Sequence, residues 1–330
     1  MRLLSLATIL AAAFAVLLGT PLAARACSVC LAGDPLFSTQ GTSAQREDDL
    51  SLYFQVQGWR KESGLLPHEA EASGPHAASG TERNRSQRLD LFLSWTPIDR
   101  VTVTLDVPFA FNEIEEIEEG TSQTNRIRGL GDVSLSGSYV LWRNREVLPS
   151  TWVEGRVFLK SPTASTDRER AGVVDPHLQA GTGSWDFGVG LSGVHRFDLG
   201  SFYTSVFYRE NTEARFDGLD YEYGDVVLAN AAVEIPLGHA TGIPMLDRIT
   251  IGGELNFRWS DFDRVGGERF EDSGGTIVYA TPSLRVKLPF EVGGRGVSAR
   301  IAVQIPLSSS SLHGNQDEKE VWSVGLFVPF

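Results

Sequence analysis

The last ten residues, Val321 to Phe330, constrain the fold most. They read V-W-S-V-G-L-F-V-P-F, with Trp322, Val324, Leu326, Val328 and Phe330 at every second position. Successive side chains of an extended strand point to opposite sides, so these five residues form one apolar face. Such a face must meet either the core of a soluble sheet protein or a hydrocarbon phase.

The same alternation recurs about twelve times. The runs are residues 49–59, 88–95, 101–109, 131–142, 151–160, 184–196, 201–209, 225–235, 248–260, 276–288, 297–305 and 321–330. In the third, Val101, Val103, Leu105, Val107 and Phe109 oppose Thr102, Thr104 and Asp106. In the fifth, Val153, Val157 and Leu159 oppose Glu154, Arg156 and Lys160. Connections after odd-numbered runs (58–86, 112–128, 161–183, 211–224, 261–275, 308–319) are long and polar. Those after even-numbered runs (96–99, 143–150, 197–200) are short, and only 236–247 is longer than its place predicts. An even strand count with long loops at one end and short turns at the other predicts an all-β fold, a transmembrane antiparallel up-and-down β-barrel of about 12 strands with both termini periplasmic. A soluble sandwich has no reason to keep that alternation. All seven tryptophans fall at or near the ends of runs, where barrels carry aromatic girdles at the lipid headgroups. Helical periodicity is absent after residue 26.

The start of the chain reads differently. Arg2 precedes an almost wholly apolar stretch from Leu3 to Leu18, and Pro21 precedes the small-x-small site Ala24-Arg25-Ala26. Residues 1–26 read as a secretory signal peptide, with lipidation at Cys27 as the rival. Residues 27–47 then form a periplasmic segment carrying Cys27 and Cys30, and residues 48–330 the barrel. No later stretch reaches the ~18–20 apolar residues of a spanning helix. With 29 basic and 42 acidic residues, net −13, the chain lacks the basic footprint of a nucleic-acid partner.

Inward positions hold mixed charges: Arg88, Asp90, Asp106, Glu154, Arg156, Lys160, Glu234, Glu254, Arg258, Arg285, Lys287 and Arg300. They read either as cross-strand pairs filling a narrow barrel or as a charged constriction that sets passage. Twelve strands fall between the filled eight-stranded and the open sixteen-stranded kinds, so a narrow or gated lumen is expected rather than a wide one. Cys27 and Cys30 suit a local disulfide in an oxidising periplasm; a redox role lacks its βαβ context and a zinc site its four ligands. Neither metal nor cofactor is expected. The acidic stretches Glu113 to Glu119 and Glu210 to Asp225 are either simply solvated or bind divalent cations bridging lipopolysaccharide. No G-x-S-x-G occurs, and Ser192 with His195 lacks a third partner, so the chain is not expected to be an enzyme.

Three stretches, with the terminal Phe330, carry a family resemblance. They are Gly129-Leu130-Gly131-Asp132-Val133-Ser134-Leu135, Leu159-Lys160-Ser161-Pro162-Thr163 and Leu178-Gln179-Ala180-Gly181-Thr182-Gly183-Ser184-Trp185-Asp186. Together they resemble proteobacterial outer-membrane proteins described as transporters of the phenol meta-pathway type. The opening Cys27-Ser28-Val29-Cys30 with Gly33-Asp34-Pro35 resembles the Cys-rich start of one branch. Ala180 stands where the family usually has Pro, and a third Cys of that branch is absent. The resemblance implies a Gram-negative outer-membrane barrel passing small apolar or aromatic solutes. Its partners would be outer-membrane lipid, lipopolysaccharide and the barrel-assembly machinery, the last reading Phe330 as an assembly signal. The rival is a non-conducting scaffold whose Cys segment docks a periplasmic redox or metal partner.

Overall fold

The computed structural model describes residues 49–63, 81–118, 121–167, 169–170, 173–174, 176–216, 218–270, 273–310 and 317–330. The signal-peptide stretch, Cys27 and Cys30 lie outside the described residues.

Twelve strands form the wall: β1 (Leu50–Ser63), β2 (Thr81–Ile98), β3 (Val101–Glu118), β4 (Ser134–Arg143), β5 (Thr151–Lys160), β6 (Asp186–Phe197), β7 (Gly200–Asn211), β8 (Val226–Pro236), β9 (Ile249–Ser260), β10 (Gly275–Val292), β11 (Arg295–Ser310) and β12 (Val321–Pro329). Each pairs antiparallel with its neighbours in sequence order. Pairing of β12 with β1, from Ser51 opposite Pro329 to Gly58 opposite Trp322, closes the circle. The Phe330 N–H completes the seam by donating to the Leu50 carbonyl at 2.8 Å. Among the described residues no helix is long and apolar enough to cross a membrane; a barrel crosses with strands.

The period-two pattern becomes two faces. On β6, Phe187, Val189 and Leu191 face outward at 49%, 56% and 57% exposure, while Asp186 faces inward at 0%. Apolar ladders of this kind surround the barrel, and a soluble protein does not keep so large an apolar surface in water. Against lipid it is the required surface.

Glycine at position 58 is set by a close approach. A Cβ there would overlap the indole of Trp322, which lies across it from β12. Gly58→Val is expected to destabilise the seam by ~1–3 kcal/mol, the usual cost of overpacking, measured as a lowered midpoint of urea unfolding in lipid vesicles.

Several expected loops are sheet instead. The stretch 112–128 is not a loop: β3 continues to Glu118, and Thr121–Leu130 pairs back along it. Glu113 and Glu115 share one face there, each beside a group of the returning strand. Ile114 turns inward with 0% exposure; Glu113 meets Arg126 at 2.6 Å, and Glu115 accepts from Ser122 at 2.8 Å. The loops 211–224 and 261–275 likewise join as a small sheet of Glu213–Phe216, Leu219–Glu222, Arg264–Val265 and Glu268–Arg269. Glu222 pairs there with Arg264 at 2.8 Å. At the opposite end, connection 236–247 holds the chain's one described α-helix, α1 (Leu237–Thr241), closed by Gly242 at φ +70°. It is too short to leave a periodic trace in the sequence.

Tryptophan placement also differs in part. Trp95 and Trp142 stand outward at the short-turn end, and Trp185 and Trp322 outward at the long-loop end, at 50%, 52%, 48% and 39% exposure. Trp152 is turned inward instead, 2% exposed, with the Arg196 guanidinium 5.0 Å from its ring. Trp59 also shares the inward parity of Gln55 and Gln57, opposite the buried Ser86.

Two short turns are tied together beyond the wall. Arg143 reaches Asp99 at 2.9 Å as well as Glu146, and Arg100 reaches Glu146 at 2.7 Å. The Arg143 hydrogen bond, followed by that of Arg100, holds the Glu146 carboxyl below the ordinary glutamate value. A depressed carboxylate contributes stability above its unfolded pKa and loses it as pH falls through the folded value. Arg143→Ala should therefore move the Glu146 titration upward, read by carboxyl carbon shifts in NMR.

Candidate functional site

The barrel interior is the candidate site, and register decides which side chains enter it. Gln55 stands opposite Asp90, Asp90 opposite Pro108, and Phe92 opposite Asp106. Phe158 stands opposite Ser136, and Glu254 opposite Thr281. All of these face the lumen.

Part of the interior is aromatic. Phe92, Phe158 and Phe207 are 3%, 5% and 3% exposed. Tyr53 packs on Phe92 with ring centroids 6.0 Å apart, and Phe158 meets Phe207 edge to face at 5.9 Å. Glycine makes the room. The Phe207 ring lies over Gly188 and Gly190 of β6, and a Cβ at Gly190 would stand 2.7 Å from it.

The charges form separate groups on the wall. On β8 to β11, Arg285 pairs with Glu234 at 2.6 Å and Arg300 pairs with Glu254. Asn256 donates to Glu254 at 3.3 Å and to Asn230 at 2.8 Å, extending the network across three strands. On β5, Arg156 pairs with Glu154 at 3.0 Å. On β2 and β3, Arg88 holds Asp90 and lies 3.5 Å from Asp106. Lys160 binds Asp186 and lies 3.6 Å from Asp132. Arg258 is buried on β9, 3% exposed, opposite Leu228. Lys287 shares the inward parity but is exposed near the turn end of β10.

The largest departure from the sequence reading concerns residues 161–183. This is not a loop held outside the barrel. Its last part, Pro176 to Trp185, enters the interior as a strap, with Leu178 1% and Gln179 0% exposed. Asn112 of β3 donates to the Gln179 carbonyl at 2.7 Å and the Leu178 carbonyl at 3.2 Å. The Tyr223 hydroxyl donates to the Pro176 carbonyl at 2.8 Å.

Asp132, Thr182, Ser184, Asp186 and Arg209 thus belong to the site, though charge and parity did not select them. One signal did exist. The three stretches that carried the family resemblance converge here: Gly131 and Asp132 from the first, Lys160 and Thr163 from the second, and Ala180 to Asp186 from the third. Thr163 bonds both the Val133 N–H and the Gly131 carbonyl, at 2.7 and 3.2 Å.

Between strap and wall lies a cavity of about 70 Å³, lined by Arg88, Asp106, Asp132, Phe158, Lys160 and Arg209 among others. The lumen is constricted here, with charge on one side and an aromatic ring on the other.

Among the described residues, no cluster of three or more His, Cys, Asp or Glu side chains could hold a metal ion. Ser192 faces the lumen opposite Ser205. His195 falls on the other face, where its Nδ1 meets Thr151 Oγ1 at 2.8 Å. The two do not form a nucleophile–base pair.

No protein-family model matches the chain, and no curated protein matches it. Solved structures do. An outer-membrane channel from Pseudomonas putida F1 superposes with a TM-score of 0.60 at 10% identity, covering 91% of this chain and 100% of that one. The translocator domain of the autotransporter NalP from Neisseria meningitidis gives 0.46 at 11% identity, over 88% of this chain and 92% of that one. A Pseudomonas aeruginosa FadL homologue gives 0.39 at 9% identity, over 93% and 97%. At 10% identity the likeness to the first is one of fold, a closed antiparallel β-barrel.

Proposed function

We propose that this barrel sits in the bacterial outer membrane and passes small, hydrophobic or aromatic solutes through a narrow lumen. The carrying observation is the set of inward aromatics, the buried Phe92, Phe158 and Phe207 with the half-buried Tyr53, beside paired charges. These rings pack in one cluster with Phe216, Tyr221 and Tyr223, so the inner face is apolar along this stretch. An apolar solute partitions against them, losing water from its own surface as it does. The flanking ion pairs would orient its polar end and discriminate between solutes. The likeness to a solved outer-membrane channel supports the fold this needs, and the resemblance to phenol meta-pathway proteins favours aromatic cargo. On this reading residues 1–26 are removed on export, both termini are periplasmic, and Phe330 is read by the assembly machinery. Lipid and lipopolysaccharide then surround the outward ladders.

The test is single-channel recording from the purified barrel in a planar bilayer. Small discrete currents are expected, reduced by millimolar benzyl alcohol as an aromatic probe. Arg156→Ala should shift selectivity toward cations, because it leaves Glu154 as an unpaired lumen charge. A correctly folded barrel without current and without transfer of the probe into vesicles would reject the reading. The scaffold alternative rests on Cys27 and Cys30, and no observation among the described residues favours it.

A further inference from the structure

The strap Pro176 to Trp185 is attached to the wall in an unusual way. One carboxylate, Asp132, gathers three of its hydrogen bonds. Asp132 lies in the short stretch leading into β4 and is 6% exposed. Its Oδ2 accepts from the Thr182 N–H at 2.7 Å, the Gly183 N–H at 3.2 Å and the Thr182 hydroxyl at 3.2 Å. Its Oδ1 accepts from the Ala164 N–H at 2.9 Å, at the other end of the same long connection. The connection therefore leaves β5, touches Asp132, passes through the lumen and touches Asp132 again before entering β6.

We propose that Asp132 is the latch of a movable gate. It holds the Pro176–Trp185 strap across the lumen, and breaking its hydrogen bonds lets the strap lift and the constriction widen. The inference rests on the channel reading for its purpose, though not for its geometry.

Three features separate a latch from ordinary packing. First, the contacts are concentrated. A carboxylate accepting several N–H bonds is a strong acceptor in a buried site, and its loss removes a tie at both ends of the connection at once. Second, the strap is shaped for this acceptor. A Cβ at Gly181 would stand 2.5 Å from Asp132 Oδ2 and 2.6 Å from the Ala164 Cβ, and Gly183 takes φ +67°. Third, the strap lacks the ladder pairing that fixes the wall. Its other polar ties include the Asn112 amide, the Tyr223 hydroxyl, the Lys160 contact with Thr182, Ser184 with Asp186, and Thr212 with the Trp185 carbonyl.

The experiment uses the full mature chain with Cys27→Ser and Cys30→Ser, folded in lipid vesicles. Leu178→Cys places a reporter thiol on the strap, and a membrane-impermeant maleimide supplied on both sides labels it when the strap lifts. Asp132→Asn keeps the size but turns one of the two acceptor oxygens into a donor, so either the Ala164 N–H or the strap N–H groups lose their acceptor. It should speed labelling at least about tenfold, the equilibrium equivalent of one charge-assisted hydrogen bond. Gly181→Ala, which disturbs the same latch from the strap side, should do likewise. A staple provides the reverse control. A Cβ at Gly129 would stand 3.7 Å from that of Ala180, within the ~3.5–4.5 Å of a disulfide. Gly129→Cys with Ala180→Cys, oxidised, should return Asp132→Asn to the slow rate, and reduction should release it.

Unchanged labelling in barrels that keep their heat-modifiable gel migration overturns the latch. So does fast labelling that persists in the oxidised staple. Current distinguishes this from the channel reading. Accelerated labelling with no current in any variant keeps the latch and rejects the channel, whereas current without accelerated labelling rejects the latch alone.

Discussion

Glu254→Ala is expected to lower stability by about 3–5 kcal/mol, the cost of leaving one member of a buried ion pair alone. Its partner Arg300 is 7% exposed at the side chain, and Glu254 itself 4%. The register adds to the cost. Arg300 stands directly opposite Arg285 on the neighbouring strand, with both facing the lumen. Like charges directly opposite destabilise a sheet, and here each is held by its own acid, Arg285 by Glu234 at 2.6 Å and Arg300 by Glu254. Removing Glu254 leaves the two guanidinium groups with one carboxylate between them. It also takes an acceptor from Asn256, itself held by Thr281 at 2.5 Å.

The double change Glu254→Leu with Arg300→Met is the informative control. It removes both charges and keeps the volume, and replacing a whole buried pair in this way is close to neutral or stabilising. Urea unfolding in vesicles measures both. A loss of 3–5 kcal/mol that the double change restores shows a dry, charge-balanced wall. A loss under ~1 kcal/mol for Glu254→Ala would mean that water screens the pair as it does on a surface. The lumen would then be wetter at β9 and β11 than the packing shows.

The two halves of the structure differ in how they were written into the chain. The wall was legible because period two is local: Leu89, Leu91 and Leu93 declare an outward face within five residues, without reference to any partner. Direction was legible too. Trp152 shares parity with Glu154 and Arg156, and it faces inward with them; position near a strand end was the weaker guide. Strand ends were not legible, because Glu113 and Glu115 read as loop until the returning strand brings Arg126 and Ser122 within reach of them. Partners within the lumen were hidden for the same reason. Parity puts Glu254 inside, but only register brings it to Arg300, 46 residues later. The strap was the least visible. It has no period, and its conformation depends on a carboxylate 50 residues before Thr182. Only the motif pattern around Asp132, Lys160 and Thr182 marked those residues together.

Leu191→Arg should cost about 2–4 kcal/mol, because an arginine on the outward face near mid-bilayer meets hydrocarbon. Leu191 is the sixth of the twelve residues of β6. It lies outward between Gly155 of β5 and Val206 of β7 and is 57% exposed. That exposure makes the test sharp. Were the face in water, arginine would gain solvation and lose few contacts, and a surface change of this sort stays within about ±0.5 kcal/mol. Val147→Arg supplies the depth control: Val147 is 79% exposed in the turn between β4 and β5, beyond the wall, where the cost falls to ~0–1 kcal/mol. Refolding into vesicles under urea gives both values. A Leu191→Arg cost no larger than that of Val147→Arg would take the outward ladders out of the hydrocarbon and leave the barrel without its membrane. A difference of 2 kcal/mol or more sets β6 across the bilayer, with its short-turn end near the interface.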